Sequence, residues 1–183
     1  MDRLKLPLFI ISMLGLAVSC NQKIHPHQKK LAELDSLQTV VQGYKRQLDS
    51  ISTERVSKLA VHVDTQYQYI VDHYSDSADR EFWLNEVLYF GGIRKAMNRL
   101  EENKDGLAKE INLTAQQLQT LENSIRDEKL KDEKLEEYFT EEVQAFQRLK
   151  FQMSKSVDGA ERALVIWDSL GTRYDSIANS LRN

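Results

Sequence analysis

One heptad frame runs from Trp83 to Leu181 without a proline to interrupt it. Of its 29 a and d positions, 22 are apolar or aromatic, against 41% of the whole chain. Apolar residues at alternating spacings of three and four lay a stripe along one side of a helix, so the frame demands helices packed along a seam. Pro26 is the last proline, and only Gly43, Gly91, Gly92, Gly106, Gly159 and Gly171 follow it. Strands and hairpins need more turn punctuation than that, whereas helix interiors exclude both residue types. The fold class is therefore all-α.

The region before the frame is also helical in pattern. Leu34, Leu37, Val41, Tyr44, Leu48 and Ile51 form one run, and after a frame shift the seam continues as Val56, Ala60, Val63, Tyr67, Ile70 and Tyr74. The serines and aspartates of YSDSADRE, residues 74 to 81, can accept from the free amides of a new helix start, which places a chain reversal there. A single helix over 83 to 181 would be about 150 Å long and would leave FWLNEVLYF and ALVIW exposed. A second reversal in the charged run RDEKLKDEKLEE, residues 126 to 137, resolves this. Long antiparallel helices over about 27 to 74, 78 to 127 and 133 to 181 result, in a coiled-coil-like three-helix bundle of about 70 Å legs. The alternative is a four-helix bundle with extra breaks near 103–106 and 156–159, where NKDG and SVDG carry glycine and the charged run carries none. The three-helix arrangement gathers Tyr67, Tyr69, Tyr74, Phe82, Trp83, Phe90, Trp167 and Tyr174 at one end. Aromatic side chains at seam spacing fill a core, or else they line a contact site for a ligand; the sequence leaves both open.

The amino terminus has its own signature. MDRLK is a short charged start, LPLFIISMLGLAV an apolar run too short to span a bilayer comfortably, and Ser19-Cys20 a small-residue junction. AVSC, residues 17 to 20, resembles the lipobox of bacterial lipoproteins, with Ala17 standing where leucine is usual. That resemblance covers the first twenty residues. It implies a cleaved signal peptide over 1–19 and lipid attachment at Cys20; the polar composition of 20–30 reads as a tether, and the apolar spacing from Leu31 onward as a helical domain over 31–183. A thiolate is nucleophilic enough for such alkylation, and two or three acyl chains hold a protein on a membrane where one does not. Asn21 after the cysteine, in place of aspartate, implies the outer membrane by the same resemblance. A periplasm-facing protein is expected, with the cell surface as the alternative.

Reactive chemistry is sparse. Net charge is −3 with basic residues dispersed, so no phosphate-binding face and no nucleic-acid partner is expected. The chain has no Glu-x-x-His pair, no His pair at four-residue spacing, no nucleophile elbow and no phosphate loop, so no metal, cofactor or catalytic residue is expected. Asp-Ser followed by an apolar residue recurs at Ser36, Ser50, Ser77, Ser169 and Ser176. The triplet resembles an O-glycosylation signal on exported proteins of one group of Gram-negative bacteria. Most of these pairs also occupy outward heptad positions, where polar residues belong in any case. The sequence is expected to be a non-enzymatic envelope lipoprotein. It would contact the bilayer through acylated Cys20, and an envelope protein partner or a homo-oligomer through its helix faces, as spacer, scaffold or adaptor. The second expectation is a periplasmic binding module that holds an apolar ligand or client polypeptide at the aromatic end.

Overall fold

A computed structural model describes residues 26–73 and 80–182, without the side chains of Arg80, Phe82 and Trp83. Within them the chain forms four helices: α1 (Gln28–Ser50), α2 (Thr53–His73), α3 (Arg80–Arg126) and α4 (Asp132–Ser180). The sequence pattern treats 27 to 74 as one helix, and the structure corrects that. Ile51 is extended (φ −80°, ψ 117°), and Ser52 starts α2 by accepting the Arg55 amide on its Oγ (3.3 Å) and the Val56 amide on its carbonyl (3.0 Å). The reason lies in the frame shift. Val56 lies five positions after Ile51, a step that would swing the seam by about 140° on a continuous helix at 100° per residue. Breaking the helix keeps Leu34 and Val41 of α1, and Val56, Val63 and Ile70 of α2, in the same core.

Residues 103–106 and 156–159 lie inside α3 and α4, so neither glycine-bearing tetrapeptide interrupts a helix. The charged run does hold the turn. Glu128 takes the left-handed conformation (φ 52°), Lys129 N donates to Ser124 O (3.0 Å) and Glu128 N to Ile125 O (3.1 Å). That is the hydrogen-bond pattern usual after a helix end with glycine, here built on glutamate at a local cost of about 1–2 kcal/mol. α4 then begins with Asp132 and Glu133 in its first turn, where acids meet the positive end of the helix dipole.

Polar contacts fix the directions. α1 and α2 run along α4 in the same sense, through Lys30 to Glu136 (2.9 Å), Gln47 to Asp158 (2.9 Å) and Glu161 (2.9 Å), and His62 to Asp175 (2.8 Å). α3 runs opposite to them, with Gln38 bonded to Glu122 (2.7 Å) and Arg94 to Asp64. It is also opposite to α4, with Arg173 bonded to Glu86. The buried centre of α3 and α4 follows the heptad frame: Phe90, Met97, Ile111, Leu118, Leu135, Leu149, Met153, Ala160 and Tyr174 are all fully enclosed.

Candidate functional site

Four of the aromatic side chains expected at one end come together. Phe90 and Tyr174 stack face to face with ring centroids 4.1 Å apart, and Trp167 lies parallel to them at 5.8 and 6.3 Å. Tyr67 meets the edge of Phe90 at 5.9 Å. Heptad spacing explains the gathering, since Phe90, Trp167 and Tyr174 all occupy a positions in antiparallel helices. Phe90 and Tyr174 are each 1% exposed, so this end is a filled core. Burial first, and then the nearby Glu86 carboxylate, push the Tyr174 phenol up to about 12. Tyr74 and the Trp83 side chain lie outside the described residues.

Trp167 forms the border of the stack. His62 meets it edge-on at 5.6 Å and holds Asp175 through Nε2, and Gln66 donates to the same carboxylate (3.0 Å). Beside it an open groove of 520 Å³ follows the α1–α2 break, lined by Ser52, Arg55, Leu59, His62 and Trp167 among others. Its charges are internally matched, Arg55 with Asp168 and Lys58 with Glu54 (2.6 Å). The groove therefore offers an apolar wall rather than an unsatisfied ion.

Of the serines in Asp-Ser motifs, Ser36 and Ser50 are exposed on α1, and Ser169 and Ser176 are exposed on α4. Ser50, Ser169 and Ser176 hydroxyls donate to carbonyls of their own helices (2.7, 3.2 and 2.9 Å). Two of the motif aspartates have structural work, since Asp168 and Asp175 bind Arg55 and His62. Ser77 and Cys20, with all of residues 1–25, lie outside the described residues. Among the described residues no group of three or more His, Cys, Asp or Glu could hold a metal ion, and no helix is long and apolar enough to cross a membrane.

The sequence pattern did not reveal the polar centre on Glu122. This buried carboxylate accepts from Gln38, from Gln119 (3.3 Å) and twice from Arg126 (2.8 and 2.6 Å). Gln119, Glu122 and Arg126 have helical spacing, a signal present in the sequence, but Gln38 is 84 positions away. Hydrogen bonds from Gln38 and Arg126 hold the Glu122 carboxyl below its ordinary 4.5. Glu142 has the opposite environment. Its Oε2 is buried without a hydrogen-bond partner, and burial, then Glu141, pushes its carboxyl above 4.5.

The two acids should have opposite effects on stability. A lowered folded value means that the Glu122 contribution is present above 4.5 and lost as pH falls through its folded value. A raised folded value means that the Glu142 contribution is complete below 4.5 and lost as pH rises through its folded value, so at neutral pH ionised Glu142 weakens the fold. Glu122→Gln is expected to lower unfolding free energy at pH 7 by about 1–2 kcal/mol, with the difference shrinking in acid. Glu142→Gln is expected to raise it at pH 7. Denaturation followed by circular dichroism at pH 7 and pH 4 reads both signs.

The described residues thus define an all-α helical bundle. No family model, curated protein or solved structure matches the chain.

Proposed function

We propose that the chain is a membrane-anchored lipoprotein of the bacterial cell envelope, acting without catalysis as a spacer, scaffold or adaptor through its helix faces. The observation that carries this reading is the export-type segment ending at Cys20, a few residues before a bundle whose α4 alone has 49 residues, about 74 Å of helix. In this reading α1 and α2 are one broken leg beside α3 and α4, a three-legged coiled-coil-like bundle. Cys20 carries the acyl chains, the polar residues between it and the start of α1 at Gln28 are the tether, and the outer membrane facing the periplasm is the location, with the cell surface as the alternative. Exposed Ser36, Ser50, Ser169 and Ser176 are the accessible acceptors if the motif is glycosylated. A filled aromatic end supports a scaffold over a ligand pocket. The groove beside Trp167 is the feature that favours the second reading, a module holding an apolar ligand or client polypeptide.

Metabolic labelling with a fatty acid tests the anchor. Wild type is expected to incorporate label and Cys20→Ala to lose it, whereas equal labelling of the two would overturn the lipoprotein reading.

A further inference from the structure

The bundle's inter-helix surfaces are laced unequally. Along α4, the α1–α2 side is closed by Lys30–Glu136, Gln47–Asp158, Arg55–Asp168, His62–Asp175 and Tyr69 Oη to Leu181 O (3.3 Å). Between α3 and α4 the polar links are Arg173–Glu86 and Arg99 Nη1 to Lys155 O (3.3 Å); among the described residues none crosses from 103–126 of α3 to α4. On that sparsely linked face Leu113, Phe151 and Tyr138 are 50%, 63% and 39% exposed. Two open grooves run along it. One of 580 Å³ includes Arg99, Gly106, Glu110, Phe151 and Lys155, and one of 310 Å³ includes Leu113, Leu121, Leu130, Tyr138 and Glu142.

In the first groove two cations, Arg99 and Lys155, outnumber one carboxylate, Glu110. Lys155 Nζ sits over the Phe151 ring at 5.5 Å, and among the described residues neither it nor Arg99 forms an ion pair. At the other end the half-buried Glu142 is the one charged residue among those lining the second groove, its Oε2 enclosed without a hydrogen-bond partner. Lys155 and Glu142 are 13 residues apart on α4, about 20 Å. Between them Gly106 lines the groove, and a Cβ there would meet nothing within 4 Å. A helix-interior glycine costs about 1 kcal/mol relative to alanine, and nothing in the chain's own packing uses its small size.

We infer that the outer α3–α4 face docks an amphipathic helix of another envelope protein, its acidic C-terminal end at Arg99 and Lys155 and its basic N-terminal end toward Glu142. Apolar residues one and two turns apart on that helix cover Leu113, Phe151 and Tyr138, the recognition mode of a helix laid in a groove. Its free terminal carbonyls add negative charge at the cationic end, so the helix runs parallel to α4. Gly106 lets its backbone come close. The inference rests on the scaffold reading of the helix faces but not on the anchor, so failure of fatty-acid labelling leaves it standing.

The test uses the full chain in lipid nanodiscs and a labelled 18-residue helical peptide with leucines at i, i+4, i+7 and i+11, lysines in its first turn and glutamates in its last. A second peptide exchanges the charged ends. Fluorescence anisotropy is expected to show about tenfold tighter binding of the first peptide. Arg99→Glu with Lys155→Glu is expected to reverse that preference. Gly106→Leu is expected to weaken binding about tenfold with no loss of thermal stability, because its side chain enters open space. Absence of binding, equal binding of both peptides, or binding indifferent to Gly106→Leu would overturn the inference. So would self-association of the chain that Gly106→Leu abolishes, since the occupant would then be a second copy.

Discussion

Phe90→Ala is expected to cost the fold about 3–5 kcal/mol. Phe90 is 1% exposed and touches three other aromatic residues of this end: Tyr174 at 4.1 Å, Trp167 at 5.8 Å and Tyr67 at 5.9 Å between ring centroids. Truncation removes the buried ring and the contacts its neighbours make to it, and those neighbours cannot close the space easily. Tyr174 is pinned by the same stack, and Trp167 is held from its other side by His62. Chemical denaturation by circular dichroism measures the loss. A cost below about 1 kcal/mol, a value typical of a lightly packed site, would show that the aromatic end is an open contact surface. It would also shift support from scaffold to binding module, so this measurement bears on function.

Gly171→Ala is the second large effect, and its sign goes against helix propensity. Alanine normally gains up to about 1 kcal/mol over glycine inside a helix. At Gly171, however, a Cβ would lie 2.7 Å from the Trp167 indole, and the indole cannot move without disturbing Phe90 and Tyr174. Overpacking of this kind costs about 1–3 kcal/mol, so the net change should be a loss. Gly159→Ala, also within α4 and with nothing within 4 Å, is the internal control and should gain about 0.5–1 kcal/mol. Parallel melts of the two variants decide the matter; a gain at both would mean that the indole is free to swing away.

Much of this architecture was legible before any coordinates. The a and d residues Phe90, Met97, Ile111, Leu118, Leu149, Met153 and Tyr174 are the buried ones, because helical periodicity is a property of one strand of sequence. The turn at the charged run was legible through its surplus of charge, even without glycine, since Glu128 could take the left-handed conformation itself. The break after Ser50 was present as a five-residue interval but reads as a frame shift until the helix is asked to keep both runs inward. Gly91 and Gly92 look alike in sequence. In the fold, a Cβ at Gly91 would press Tyr67 at 3.1 Å while one at Gly92 would meet nothing within 4 Å.

By itself, then, the sequence determined the helical class, the inward faces and the place of the cysteine after an apolar run. Each follows from spacing or composition along the chain, which needs no partner to be defined. Only the tertiary structure decided that Gln38 reaches Glu122 and that His62 reaches Asp175, 113 positions away. It also decided that, among the described residues, no polar link crosses from 103–126 of α3 to α4 while the α1–α2 side of α4 is closed. These outcomes depend on the axial register between separate helices. A stripe of apolar residues permits several such registers, and the side chains that meet across the seams select one.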